Sequence, residues 1–501
     1  MRSLIKPTIV LTCFTVIGQL IGFIINILSA SFFGTNSEME AYLVAQTIPV
    51  YISTVLVGGL GYVMIPMFIE KKSTIDENGA WDLASSIISL YLAFLIFSTF
   101  IGLVFSKEIL NVFFPELPVA TQLLALNLSF IFWPTSAITG FLTILAFIYQ
   151  AYERFVYHAI TTFIASAIYL LLFFIGAANF GIYALALASL LSSIIQLFLL
   201  LGFIKNKYSF RIKFTPEVIK LIKLQIPIIV AALFGQFSKI IDRSIASGLE
   251  VGSISYLSYA DKIRGLLGVV LGSGLAITFF PTLIQNLVDK NIPDFKKSIS
   301  LGMKITWLLV APIVCFGSFF ALPFVSLLFE RGVFSSVDSM AVASVLPLFL
   351  ISLIGATLGN VSSRSIYALK ETKIIALTDI AGTLLYCFYA PILGNKFGII
   401  GIGVAISILW NLGFLVHCVY IWIFLKRPNI LNFIKSQMII LIVAFLSSYI
   451  SYLVYSEVSD QGLASFIIVS LLGAILYSGL LYFIRVQEFL KLLAFFKLRI
   501  E

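Results

Sequence analysis

Residues 181–204 read GIYALALASLLSSIIQLFLLLGFI, and residues 205–223 read KNKYSFRIKFTPEVIKLIK. The first stretch is 24 residues without a charge, long enough to cross ~30 Å of hydrocarbon as a helix. The second carries Lys205, Lys207, Arg211, Lys213, Lys220 and Lys223 against a single acid, Glu217. An apolar span that stops at a basic connection is the pattern of a membrane helix reaching the cytoplasmic face. The pattern repeats in both directions along the chain. Spans are predicted near 7–33, 40–69, 83–105, 121–149, 156–177, 181–204, 222–248, 253–286, 299–325, 339–368, 373–393, 398–424, 434–455 and 463–484. The expected fold class is therefore an all-α membrane protein of about 14 transmembrane helices.

Composition agrees. Sixty per cent of the 501 residues are hydrophobic, 11% are charged, and the mean hydropathy is +1.08. No soluble core of this length could hide that much apolar surface. The segment Met1 to Lys6 leads straight into the first span without a small-residue cleavage pattern, and the span reads as a retained helix.

Fourteen spans place both ends on one side, and the basic residues choose the side. Alternate connections plus the two ends hold 23 lysines and arginines; the opposite connections hold three, Lys107, Arg331 and Lys396. A miscounted helix would swap the faces downstream and destroy that bias, so both termini are expected in the cytoplasm of a bacterium with this chain in its inner membrane. The net charge of +9 sits in short loops rather than on a basic face interleaved with aromatics, which argues against nucleic acid.

The basic connection near the middle divides the chain. The expected organisation is an N-terminal six-helix bundle (1–204), a cytoplasmic linker (205–221) and a C-terminal six-helix bundle (222–424). Two last helices (425–485) and an interfacial amphipathic tail (486–501) follow. A weak internal repeat supports the division. At an offset of 215, Gly59-Leu60 falls on Gly274-Leu275, Pro66 on Pro281, and Phe114 on Phe329. Since both halves begin on the same side, the repeat is parallel, and two such bundles would enclose a V-shaped central cavity.

Catalysis finds little support. His158 and His417 stand alone among apolar neighbours, and no metalloprotease, nucleophile-elbow or phosphate-loop pattern occurs. Cys13, Cys315, Cys387 and Cys418 lie far apart in apolar stretches, with no metal or disulfide spacing. No enzyme activity, metal or cofactor is expected.

Charges inside the spans are the informative residues, because each costs several kcal/mol unless paired or facing water. Spans seven and eight hold Lys239, Asp242, Arg243, Asp261, Lys262 and Arg264, four positive against two negative. Lys239 and Arg243 share a helix face at i, i+4, and Asp261 can pair with Arg264 at i, i+3. Lys262 points away from that pair and lies ~14 Å from the outer end of its span, near the midplane. The first half offers Gln19, Asn26 and Gln46 instead. Two readings stand: a salt-bridge network locking two spans, or the wall of an anion-binding cleft, for which a diphosphate is the natural guest. Arg364, near the end of span ten, either snorkels or contributes.

Three stretches resemble the MurJ lipid II flippase family. They are Gly252-Ser253-Ile254-Ser255-x-Leu257-x-Tyr259-Ala260-Asp261-Lys262, the outer loop Leu328-Phe329-Glu330-Arg331-Gly332-x-Phe334-x-x-x-Asp338, and Phe33-Gly34 with Glu40-Ala41-Tyr42-x-x-Ala45 and Pro49. With the span count, the resemblance covers the whole chain. It places the chain in the larger superfamily of multidrug, oligosaccharidyl-lipid and polysaccharide flippases. The resemblance implies alternating-access transport of an undecaprenyl-diphosphate-linked glycan, lipid II or a relative, from the cytoplasmic to the outer leaflet. Head groups would pass a cavity including Lys262, Arg264, Lys239, Arg243, Asp261, Gln19, Asn26 and Glu40, with the lipid tail in a groove beside the last two spans. The implied partners are that substrate, membrane lipids and cell-envelope biosynthesis proteins. Lys262 stands where the family usually has arginine. Gln19, Ile25 and Ser53 stand where it has arginines, and Glu40 replaces an aspartate. A flippase for capsule or O-antigen units is the alternative, and a drug or metabolite antiporter using Asp379 a more distant one.

Overall fold

The computed structural model describes residues 2–74, 76–204, 207–289, 291–369, 371–425, 431–458 and 462–490. Among these, sixteen helices follow one another and no strand occurs. They are α1 (Arg2–Phe33), α2 (Ser37–Val57), α3 (Leu60–Thr74), α4 (Glu77–Val104), α5 (Ser106–Phe113), α6 (Val119–Ala151), α7 (Phe155–Phe180) and α8 (Tyr183–Ile204). Then come α9 (Pro216–Ser247), α10 (Ser253–Val288), α11 (Ile292–Phe319), α12 (Ala321–Phe329), α13 (Ser336–Ala368), α14 (Thr372–Phe424), α15 (Leu431–Glu457) and α16 (Leu463–Phe483).

Twelve helical stretches of the described residues are long and apolar enough to cross a bilayer, with α2 and α3 forming one of them. The 53 residues of α14 would measure ~80 Å, far more than one crossing needs. The helix breaks at Gly398 (φ 61, ψ −142), the first residue of the span predicted at 398–424, just beyond the one predicted at 373–393. That left-handed backbone suits a residue without Cβ. The 36-residue α10 occupies the place of the eighth predicted span. Span two differs from expectation: it is interrupted at Gly58 and Gly59, where apolar side chains continue but the helix does not.

The chain forms two compact units, Met1–Ser255 and Tyr256–Glu501. In the first, α3, α4, α6, α8 and α9 share a core that includes Phe68, Trp81, Ile88, Ile144, Tyr149, Leu200 and Leu221. Its polar tips are satisfied: Trp81 Nε1 donates to Tyr152 Oη (2.7 Å) and Tyr149 Oη to the Leu200 carbonyl (2.8 Å). Helix α9, predicted to open the second bundle, packs within this unit. Arg243 reaches Thr47, Tyr51 reaches Leu233, and Lys71 pairs with Glu217, so α9 runs antiparallel along the whole of α2 and α3.

The connection before α9 is also docked. Residues 208–215 have no regular structure, yet the Ser209 and Arg211 amides donate to Ser85 and Ser89 Oγ of α4 (3.3 and 3.1 Å). Lys207 and Arg211 form ion pairs with Glu77 and Asp82, and Tyr208 Oη lies 3.0 Å from Ser89 Oγ. Residues 205–206 of the predicted linker lie outside the described residues, as do 491–501 of the predicted tail.

In the second unit, Leu283, Phe295, Ile299, Ile366 and Ile421 form one core cluster, and Leu308, Ile440, Val443, Leu481 and Val486 another. Helices α13 and α14 approach closely at Gly355, where a Cβ would stand 2.4 Å from the Trp410 backbone. The described part of the tail, 486–490, folds back on this unit: Val486 and Glu488 are buried. The predicted repeat is visible as an element pattern, long–short–long, in α4–α5–α6 and again in α11–α12–α13. Phe114 and Phe329, equivalent in the repeat, follow or end the short helices and are both fully buried.

Candidate functional site

Helix α2 begins with Asn36 as its N-cap, whose side chain accepts from the Met39 amide. One turn in, Glu40 is 4% exposed, and its Oε1 accepts from the amides of Gly252 (2.9 Å) and Ile254 (3.1 Å). Those amides sit at the head of α10, where helical N–H groups lack partners and the helix dipole favours an anion. Glu40 thus serves as a carboxylate cap.

Arg243, half-buried on α9, donates from Nη1 to the Leu43 carbonyl (2.7 Å) and to Thr47 Oγ1. Its guanidinium is committed to α2. Lys239, one turn earlier, is exposed, and it forms no ion pair among the described residues. Gln19 is also exposed, while Asn26 turns back to donate to the Gly22 carbonyl of its own helix (3.0 Å). Of the positions at which the resemblance implied arginines, Ile25 is buried and Ser53 donates to the Ser136 carbonyl (2.8 Å).

In the second unit, the pair anticipated from i, i+3 spacing is present. Arg264 Nε and Nη2 both donate to Asp261 Oδ1, at 2.9 and 2.6 Å. Sequence reasoning missed the rest of its surroundings. Arg264 Nη1 reaches Ser352 Oγ (3.3 Å), and the guanidinium lies over the rings of Trp410 (5.5 Å) and Phe349 (5.9 Å). This cation is held by charge, hydroxyl and two aromatic faces.

Lys262 Nζ lies 5.1 Å above the ring of Tyr259, which is itself fully buried. Phe329 and Phe334 pack against that ring at 5.0 and 5.5 Å. The outer-loop motif therefore has a physical meaning. Gly332 supplies a positive φ of 62°, Ser335 and Asp338 form a capping box for α13, and Phe329 and Phe334 hold Tyr259 beneath Lys262. Tyr256 Oη also reaches Asp338 Oδ1 (3.4 Å). His417 is buried with Nδ1 3.4 Å from Ser362 and Ser363 Oγ.

A second feature of this unit was only partly legible. An apolar cavity of about 530 Å³ lies among α10, α11, α13, α15 and α16, with Leu309, Pro312, Phe316, Phe466, Gly473 and Tyr477 in its wall. Phe489 from the tail also lines it, and the adjacent Glu488 pairs with Lys304 (2.5 Å). Burial alone would push the Glu488 carboxyl up. The Lys304 ammonium, with the Ser436 hydroxyl and the residue's own amide, outweighs burial and holds it below the usual carboxylate value.

Long apolar helices in two units, with charges inside them held by hydrogen bonds and aromatic faces, define a multi-pass membrane protein. The family model described as "Lipid II flippase MurJ" matches residues 29–473, and the chain belongs to that family. "Probable lipid II flippase MurJ" of Buchnera aphidicola subsp. Acyrthosiphon pisum (strain APS) is 27% identical over 426 residues, 83% of each chain. "Lipid II flippase MurJ" of Thermosipho africanus (strain TCF52B) is 24% identical over 490 residues, covering 97% of this chain and 99% of its own. Among solved structures, "Lipid II flippase MurJ, inward closed conformation" superposes with a TM-score of 0.81 at 22% identity, covering 94% of this chain and 97% of its own. An inward-facing multidrug-resistance MATE family transporter of the MOP superfamily gives a TM-score of 0.70 at 17% identity, covering 84% and 96%. These two likenesses concern the fold.

Proposed function

We propose that this chain carries lipid II, a diphosphate-linked glycan on a polyprenyl tail, from the cytoplasmic to the outer leaflet by alternating access. The observation that carries the reading is the family match, which runs through both units, from residue 29 to residue 473. The geometry of the second unit supports it in two ways. The apolar cavity beside α15 and α16 suits part of a polyprenyl tail, with no polar group of the lipid left dry in it. Lys262, placed over the buried Tyr259 ring, supplies a positive charge of the kind a diphosphate head group would need. Fourteen spans, a central cavity and cytoplasmic termini complete the proposed arrangement; the 23-to-3 bias of basic residues supports the orientation.

Cargo with fewer head-group contacts, such as a capsule or O-antigen unit, is the second reading. It is favoured by Ile25 and Ser53, which fill packing positions where cations were implied. Depletion of a host's own lipid II flippase separates the two. Rescue of growth by this chain supports lipid II; a well-expressed chain that fails to rescue but restores surface-glycan display supports the alternative.

A further inference from the structure

The segment between α8 and α9 does more than join them. Its amides at Ser209 and Arg211 bond to Ser85 and Ser89, two residues of extended chain matching four residues of helix. The rises agree, about 6.6 Å against 6 Å, so the segment runs parallel to the α4 axis. Ser85 and Ser89 lie ~3 and ~9 Å inside the predicted start of that span at residue 83. The segment therefore descends beside α4 to the depth of the head-group and acyl boundary.

What it shows there is alternation. Phe210, Ile212 and Phe214 are 69%, 41% and 62% exposed. Arg211, between them, turns back to Asp82. Three lysines remain close by, Lys213 on the segment and Lys220 and Lys223 one turn apart on α9; all are exposed, and among the described residues none forms an ion pair. Two large aromatics exposed to water would be costly. Aromatic rings at a bilayer boundary, flanked by lysines, are stabilised there.

We propose that residues 209–223 are an interfacial anchor: Phe210, Ile212 and Phe214 enter the acyl boundary, and Lys213, Lys220 and Lys223 bind the phosphates of acidic phospholipids. Naming the leaflet as cytoplasmic rests on the orientation proposed above; insertion and acidic-lipid binding do not. A cytosolic protein pairing with the exposed segment would place the same rings in water.

The test uses the full chain with Cys13, Cys315, Cys387 and Cys418 replaced, carrying a nitroxide at Phe210→Cys, Phe214→Cys or, as an aqueous control, Glu153→Cys. After reconstitution into bilayers, oxygen should relax the labels at 210 and 214 more than a water-soluble nickel chelate does, with the reverse at 153. In parallel, lipids retained by the purified protein are counted for wild type and for K213Q/K220Q/K223Q. Wild type should retain phosphatidylglycerol over phosphatidylcholine, and the triple variant should lose most of that preference, about fivefold per lysine. Stronger nickel relaxation at 210 and 214 would overturn insertion and point to a protein-binding surface. Retention without acidic preference, or an unchanged triple variant, would overturn the head-group contacts.

Discussion

Replacing Asp261 with asparagine should destabilise the second unit more than removing its partner, Arg264. The two donors at 2.9 and 2.6 Å make this a doubly hydrogen-bonded pair. The side chains differ in exposure, 14% for Arg264 and 37% for Asp261. Asp261→Asn removes the negative charge beside a sheltered guanidinium and leaves it a neutral amide oxygen, one long bond to Ser352 and two ring faces, at a cost of about 2–3 kcal/mol, below the range for a fully buried pair. Arg264→Met instead leaves a carboxylate that water can reach, at about 1 kcal/mol, and the methionine keeps the packing against Trp410 and Phe349. The double variant should recover at least about 1 kcal/mol of the summed loss as coupling. Thermal unfolding of the four purified proteins in one detergent reads all three quantities. Additive single effects, within about 0.5 kcal/mol, would refute the pairing argument. So would a larger loss from Arg264→Met.

Three further outcomes follow from local geometry. Gly355→Ala should largely abolish accumulation, because its Cβ meets the Trp410 backbone at 2.4 Å, whereas Gly359→Ala on the same helix, with nothing within 4 Å, should express normally; equal yields would show that α13 and α14 can part. Glu40→Ala should lower the melting temperature by removing the acceptor of two amides, at about 1–3 kcal/mol, with Glu40→Gln intermediate; an unchanged melt in both would remove the cap from the account. Glu488 has a folded-state pKa held below its unfolded value, so its stabilisation is full above about pH 4.3 and disappears as pH falls through the folded value. Glu488→Gln should therefore cost stability at pH 7 and progressively less as pH falls below about 4.3, and a deficit that does not shrink in acid would show that the charge is not responsible.

Helix positions were legible because lipid imposes a length and a composition on every span, and basic loops mark one face. Thus α8 and α13 lie within a few residues of prediction, at Tyr183–Ile204 and Ser336–Ala368. The break at Gly58 and Gly59 was hidden, since side-chain hydropathy carries no record of backbone direction. The Asp261–Arg264 pair was legible from spacing along one helix. Ser352, Phe349 and Trp410 were not, because they come from other helices and nothing local in the sequence connects them to Arg264. Glu40 illustrates the same limit: the family resemblance implied a cavity residue there, and its amide partners stand more than two hundred positions away, at Gly252 and Ile254. The placement of α9 beside α2 and α3 was likewise set by contacts distant in sequence, at Thr47, Leu233 and Glu217, rather than by the basic linker that precedes it.

The central claim concerns movement of lipid II, and it is measured most directly as arrival at the outer leaflet. In cells whose only lipid II flippase is this chain, a water-soluble enzyme added outside cleaves only lipid II that has crossed. Wild type should yield cleaved head group within one labelling period. Lys262→Ala, at equal abundance, should lose most of it, and Lys262→Arg should keep much, since a guanidinium also holds charge and can grip phosphate oxygens. Wild-type protein present in the membrane at normal level, with lipid II still confined to the inner leaflet, would contradict the account.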